Sequence, residues 1–341
     1  MEMGDSETDR TLVVKNALVC TVLGLASVLG IPGNGMVIWI ILFHMRRQRS
    51  PTVVLLLNLA IADVLVLATL PLWIYSFVHG WPFGQTFCKL LTFVVHCNMY
   101  VSIFLITVMS AERFMAVLYP FSSQRWRTVA VVRAMVLLAW LLASLFAIPV
   151  LVYQVLDADE HGQDQCMYGT FSSDEQEILC TMIQFLVAFA IPFSMMSVFY
   201  FCIGRKLRGM TFKRQSRTGM VIGTVVIVFF VCWMPYHVVN LISLAAMMLK
   251  TNETVSDTLT DIYNYGFLFA GALVFFNSCA NPIIYAFAAR SIRDGFHMSA
   301  FGTFFDQMTN SVKEESRKRS KDTSKANESY TLQELHSSQN N

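Results

Sequence analysis

One carboxylate, Asp63, stands in the middle of a long apolar run, in the string Asn58-Leu59-Ala60-Ile61-Ala62-Asp63. A carboxylate withdrawn from water needs partners or it neutralises. At matching depth in other apolar runs lie Asn34, Ser102, Asn277, Ser278 and Asn281. Two readings follow. The cluster is either a set of polar groups that satisfy one another, or a hydrated cation site in which Asp63, Ser102 and Asn277 hold a sodium ion, since hard cations take oxygen ligands. In both, protonation of Asp63 or loss of the ion lets the surrounding helices repack, so the cluster is a candidate two-state element.

The second constellation is Glu112-Arg113, which closes a stretch, Leu90 to Ala111, that carries no formal charge. At about 1.5 Å per residue Glu112 lies roughly 36 Å along a helix from Cys88, where a bilayer ends. The pair is then an interfacial anchor, with Arg113 reaching water, or a latch that offers Arg113 to a partner once neighbouring helices move. No His, Cys or Ser cluster has the spacing of a nucleophile or a metal site, so an enzyme is not expected.

These residues are positioned by elements that composition makes plain. The chain has 341 residues, 55% hydrophobic and 14% charged, far more apolar than a soluble domain. Seven apolar stretches of at least about 20 residues, each enough for one crossing, run roughly over 17–43, 53–77, 90–111, 129–152, 178–204, 220–249 and 262–289. The reading is an all-α membrane protein, a seven-transmembrane helix bundle with a short amphipathic helix on the inner membrane surface. Helices are the natural spans because each satisfies its own backbone in lipid. The acidic leader (Glu2, Asp5, Glu7, Asp9) and the length of the first stretch point to a retained anchor rather than a cleaved signal.

With the N-terminus outside, only four of 25 Lys and Arg residues (Arg10, Lys15, Lys89, Lys250) face out, which fixes that orientation. Fourteen of the 23 acidic residues then also face out. Six of the eight cysteines lie in spans; Cys88 and Cys166 both face the oxidising side, so a Cys88–Cys166 disulfide is expected. Asn252-Glu253-Thr254 is a glycosylation sequon on the same side, whereas Asn327-Glu328-Ser329 is cytoplasmic and silent.

The expected organisation is an extracellular N-terminus (1–16), the transmembrane domain (17–289), a membrane-surface helix (290–306) and a disordered cytoplasmic tail (307–341). The long second outer loop, Tyr153 to Glu177, is acidic and reads as a lid. The tail carries many Ser and Thr residues, from Ser311 to Ser338, that suit receptor kinases and arrestin; no Cys follows Cys279, so palmitoyl anchoring there is not expected.

Further motifs lie along the spans: Gly33-Asn34, Leu59 to Asp63, Cys88, Glu112-Arg113-Phe114, Trp140, Pro192 and Tyr200, Cys232-Trp233-Met234-Pro235, and Asn281-Pro282-Ile283-Ile284-Tyr285. On these residues the chain, from Gly33 to Phe296, resembles the rhodopsin-like (class A) G-protein-coupled receptors. Phe114 departs from the Tyr usual in the family. The resemblance implies an activation switch of Glu112, Arg113, Tyr200, Trp233, Pro235, Asn281, Pro282 and Tyr285. Trp233 would be the lever under the ligand, Pro235 the kink, and Tyr200 and Tyr285 would swing toward Arg113 as a cleft opens for a Gα subunit.

Val95 stands where amine receptors carry Asp, and no Lys lies between Lys250 and Lys313 for a retinal Schiff base, so amines and light are not expected. Candidate ligand-binding residues are His96, Tyr100, Gln154, Gln184, His237, Asn240 and Phe267, with Lys89, Asn98, Tyr153, Tyr236 and Asn264 also on the outer half. A mixed surface of this kind suits an amphipathic ligand with a few oxygens. The string Pro235-Tyr236-His237-Val238-Val239-Asn240-Leu241, with Asn98 to Ser102 and Arg217-Thr218-Gly219, is similar to the leukotriene B4 receptors. This implies a plasma-membrane receptor for an inflammatory lipid chemoattractant, acting through an inhibitory G protein. Gln154, Phe267 and Gln184 replace the two basic residues and the acid which those receptors carry.

Other readings are a receptor for another lipid mediator or for a cationic chemotactic peptide drawn to the acidic lid, and a non-signalling scavenger receptor. The last is disfavoured by the presence of Arg113, Tyr200 and Tyr285. A channel is disfavoured by apolar residues from Ile103 to Met109 facing Val225 to Val231. No nucleic-acid partner is expected, and no cofactor apart from the candidate sodium ion.

Overall fold

The computed structural model describes residues 2–44, 50–120, 128–158, 162–169, 171, 173–208 and 216–290. Its helices are α1 (Glu2–Trp39), α2 (Pro51–Leu67), α3 (Leu70–His79), α4 (Gly84–Leu118), α5 (Val129–Tyr153), α6 (Asp174–Phe185), α7 (Ile191–Arg208), α8 (Ser216–Met248) and α9 (Glu253–Arg290). A two-stranded antiparallel hairpin, β1 (Gln154–Ala158) and β2 (Asp164–Tyr168), separates α5 from α6. Seven helical stretches among the described residues are long and apolar enough to cross a membrane: Asn16–Phe43, Pro51–His79, Gly84–Leu118, Val129–Tyr153, Asp174–Lys206, Val226–Met248 and Glu253–Pro282.

Local sequence accounts for the ends. Ser50 and Thr128 cap α2 and α5, each accepting a backbone N–H three residues on (3.3 Å in both), and Pro51 occupies the first turn of α2, where no N–H is needed. Ser173 caps α6, and Asp174, Glu175 and Glu177 complement the positive end of its dipole. The second span breaks between α2 and α3, where Thr69 donates to the Val66 carbonyl at 2.7 Å and Pro71 lacks an N–H. In the fifth span a π-helical turn, Leu186–Ala190, widens the helix just before Pro192.

α4 is the central rod, with Ile103, Leu105, Ile106 and Met109 almost wholly buried. Against it α5 lays a seam of Ala139, Ala143 and Ala147, while Leu137, Leu138, Leu141, Leu145 and Ile148 point outward, the lipid-facing side. Small residues on the inner seam suit helices that associate through close packing when lipid offers no hydrophobic drive. The first, second and seventh spans meet through Val19, Leu23, Ala26, Val66, Leu67, Leu70, Ala272 and Cys279. Gly30 is required at this crossing, because a Cβ there would lie 2.5 Å from Leu67 Cδ1 and 2.9 Å from Cys279 Cβ.

The hairpin lies within the long acidic segment between the fourth and fifth spans that is expected to be a lid. Alternation at Gln154-Val155-Leu156 and Gln165-Cys166-Met167, with Gly162 at φ 73° between them, carries the strand signal. It is held down by a Cys88–Cys166 disulfide, by Gln85, whose Oε1 accepts Leu156 N at 2.7 Å and whose Nε2 donates to Gln154 O at 2.8 Å, and by Trp81 N donating to Asp164 O at 2.7 Å. The disulfide thus ties the hairpin over the start of the third span.

Two compact units divide the chain at Ile284 and Tyr285. Of the second, the helical backbone of α9 to Arg290 is described. The expected surface helix and tail lie outside the described residues. Within the segment expected as an extracellular N-terminus, 1–16, the backbone is helical from Glu2 and continuous with the first span.

Candidate functional site

The polar interior falls into three groups along the bundle. At the end opposite the disulfide, Pro51 and the Ser50 cap start α2 such that Thr52 faces α4. Arg113 Nη2 donates to Thr52 Oγ1 at 2.7 Å, and that hydroxyl donates to Glu112 Oε2 at 3.0 Å, while Arg113 Nε lies 3.8 Å from the same carboxylate oxygen. Glu112 is buried and Arg113 is partly covered. A threonine hydroxyl therefore bridges the ion pair, accepting from one partner and donating to the other. Thr52 was not singled out from the sequence; its only signal was its place two residues past a helix cap. Phe114 packs on Phe199 of α7, with centroids 4.9 Å apart. Tyr200, also on α7, lies against Gly223 of α8, its hydroxyl buried toward Ser110 and Arg113.

Midway along, Asn281 Nδ2 donates to Asp63 Oδ2 at 2.8 Å, and Asn34 Nδ2 donates to the Ser278 and Gly30 carbonyls, both at 3.0 Å. Asp63 Oδ1, Ser102 Oγ, Asn277 Oδ1 and Asn281 Oδ1 are buried without a hydrogen-bond partner among the described residues. Four such oxygens, one of them carboxylate, are of the chemical kind that a hard cation takes as ligands. The residues present thus fit a sodium ion. No group of three or more His, Cys, Asp or Glu side chains among the described residues is placed to hold a metal, so at Asp63 the remaining ligands would have to be hydroxyl and amide oxygens. Asn98, one helical turn from Ser102 on α4, adds a further orphaned Oδ1; the sequence reading put it on the ligand-facing half. Pro282 is buried beside Gly33, where a Cβ would meet it at 3.0 Å. The side chain of Tyr285 lies outside the described residues.

Toward the disulfide end, Pro235 lies inside the continuous helix α8, and the rings around it converge. Trp233 is buried, 5.7 Å from Phe229 and 6.1 Å from Tyr236 between centroids. Gln184 Nε2 donates to the Tyr236 hydroxyl at 3.3 Å and lies 3.7 Å from Met99 Sδ. Asn240 Nδ2 donates to the Tyr236 carbonyl at 2.7 Å, and Phe267 stands 6.0 Å from the Tyr236 ring. Tyr236 is therefore the hub that joins the fifth, sixth and seventh spans. His237 sits among Phe185, Phe189 and Trp233, its Nε2 buried and without a hydrogen-bond partner among the described residues. Tyr100 is buried against Phe104 and Phe146, and His96 Nδ1 is 2.9 Å from Thr92 O. Gln154 lies beneath the hairpin with Nε2 3.5 Å from Cys166 Sγ and Oε1 orphaned. Lys89, expected among the ligand-facing residues, is instead committed: its Nζ donates to the Leu151 and Val152 carbonyls at 2.8 and 3.5 Å and so caps the end of α5. Asn252 is exposed in the turn between α8 and α9, its Oδ1 accepting Val255 N.

The profile described as "7 transmembrane receptor (rhodopsin family)" matches residues 33–285. Human leukotriene B4 receptor 1 is 35% identical over 272 residues, 80% of this chain and 76% of the relative. Human N-formyl peptide receptor 2 is 33% identical over 297 residues, 82% of each chain. Mouse chemerin-like receptor 2 is 35% identical over 282 residues, 81% of this chain and 76% of the relative. Seven spans, this match and these relatives make the chain a member of the rhodopsin family of seven-transmembrane, G-protein-coupled receptors, a multi-pass plasma-membrane protein that is a receptor and not an enzyme.

Proposed function

We propose that this receptor answers a lipid chemoattractant of the leukotriene B4 type and signals through an inhibitory heterotrimeric G protein. The disulfide end faces outward with the N-terminus, and the Glu112–Arg113 end faces the cytosol. The observation that carries the lipid reading is the wall of rings around Tyr236, which includes His237, whose buried Nε2 has no hydrogen-bond partner among the described residues. An apolar body with a few oxygens matches such a wall.

In this reading the ligand presses on Tyr236 and Trp233, and α8 pivots at Pro235, which lacks the hydrogen bond that would stiffen it. The cytosolic end of α8 then moves away from Tyr200. Arg113 leaves the Thr52 hydroxyl and Glu112 and meets the C-terminal helix of a Gα subunit. A sodium ion, when bound, supplies a positive charge that neutralises Asp63. Asp63, Ser102, Asn277 and Asn281 would hold it, fixing the second, third and seventh spans against one another in the resting state. Receptor kinases and arrestin would act on the tail, and a glycan would sit on Asn252.

Saturable binding of radiolabelled leukotriene B4 to transfected membranes, with a pertussis-toxin-sensitive fall in cyclic AMP, tests the assignment. Absence of binding below micromolar ligand in a surface-expressed receptor removes it. A second reading, a receptor for a cationic chemotactic peptide, is favoured by the formyl peptide receptors among the relatives and by the acidic outer face.

A further inference from the structure

An acid-bearing lipid raises a question of charge. Gln154 and Phe267 supply no cation to the interior, and of the Lys and Arg side chains described at the disulfide end Lys89 is committed to the end of α5. Lys250 remains. It stands at the lip of a cavity of about 110 Å³ between the ends of α8 and α9, lined also by Ser243, Met247, Ser256, Thr260 and Tyr263. Its Nζ donates to Asp174 Oδ2 of α6 at 2.7 Å, and both side chains are more than half exposed, 57% and 63%.

The cavity is too small for a lipid, since whole-ligand sites run to roughly 300–1,000 Å³, but it has room for a head group. Ser256 and Thr260 already donate to the Ala246 and Ser256 carbonyls (3.2 and 2.9 Å), which leaves Ser243, Tyr263 and Lys250 as donors toward an anion. From the cavity a line of rings leads inward: Tyr263 lies 5.3 Å from Phe267, which lies 6.0 Å from Tyr236. Asp174 is an exposed carboxylate on a short tether to Lys250, and exposed ion pairs exchange partners at little cost.

We propose that Lys250, with the hydroxyls of Ser243 and Tyr263, is the subsite for the ligand's carboxylate, and that Asp174 holds the same place in the ligand-free receptor. The proposal rests on the acidic-lipid reading above. It places the carboxylate at the rim of the bundle and the hydroxylated chain along the rings toward Tyr236. Arrival of the ligand then releases the outer end of the fifth span from the turn between the sixth and seventh.

The test is competition of radiolabelled leukotriene B4 by the unlabelled free acid and by its methyl ester, on the full-length receptor and on Lys250→Gln and Asp174→Asn, with surface expression checked by an N-terminal tag. The free acid is expected to bind about tenfold more tightly than the ester, and Lys250→Gln to erase that preference. Asp174→Asn removes the competitor and is expected to tighten the acid about threefold while leaving the ester unchanged. This gain is a sign that a merely structural role for the pair does not produce. Equal affinity of acid and ester on the unmodified receptor, or a preference that survives Lys250→Gln, overturns the subsite and leaves the lipid reading standing. Absence of saturable binding by the labelled ligand overturns the lipid reading itself.

Discussion

Arg113 Nη2 is held by Thr52 Oγ1 at 2.7 Å, a closer contact than the 3.8 Å that separates Arg113 Nε from Oε2 of Glu112, its neighbour in sequence. The restraint on the arginine therefore comes across the bundle from the second span as much as from its own helix. A movement of α2 against α4 loosens it without any change at Glu112.

Replacing Thr52 by Val keeps the shape and removes the bridge. A hydrogen bond to a charged group is worth about 1.5–3 kcal/mol, so basal nucleotide exchange should rise by about tenfold or more. The measurement is GTPγS binding in membranes without agonist; an unchanged basal rate shows that Thr52 does not restrain the switch. Arg113→Ala should instead abolish agonist-driven exchange.

Asp63→Asn removes the one carboxylate from the orphaned oxygen set. Agonist affinity in the unmodified receptor should weaken when sodium replaces choline in the buffer, and the variant should show no such dependence. An identical sodium response in the two proteins means that the oxygens around Asp63 do not hold the ion.

Gly30→Ala should destabilise the bundle by about 1–3 kcal/mol, because the new methyl meets Leu67 and Cys279 inside a packed crossing. Thermal unfolding in detergent reports it. Gly35, where a Cβ meets nothing within 4 Å, is the control and should tolerate Ala.

Glycosylation of Asn252 requires that the turn between α8 and α9 face the lumen during synthesis. Digestion with an amidase specific for N-glycans should raise electrophoretic mobility of the receptor and leave Asn252→Gln unmoved. A receptor without that shift removes the glycan, and detection of a tag on the N-terminus only after cells are permeabilised would reverse the orientation.

The seven spans were legible in the sequence because a helix that crosses lipid must be long, continuous and apolar, and those are one-dimensional properties. Charge at Glu112 and Asp63 was legible for a related reason: ionisable groups inside such runs are too costly to be incidental. The roles of Thr52, Lys89 and Tyr236 were not. A threonine near a helix start, a lysine near a span end and a tyrosine among other rings carry no signal until the helices are packed, because hydrogen-bond partners 52 to 62 residues away come together only in three dimensions. Likewise the hairpin that carries Cys166 was hidden in an acidic loop, its two strands short and set by anchors on α4 and at Trp81. Composition and periodicity thus determined that the chain crosses a membrane seven times and where its buried charges lie along each helix. Tertiary packing alone decided which group each charge answers to, since the short range of a hydrogen bond makes partnership a property of distance in space and not of separation along the chain.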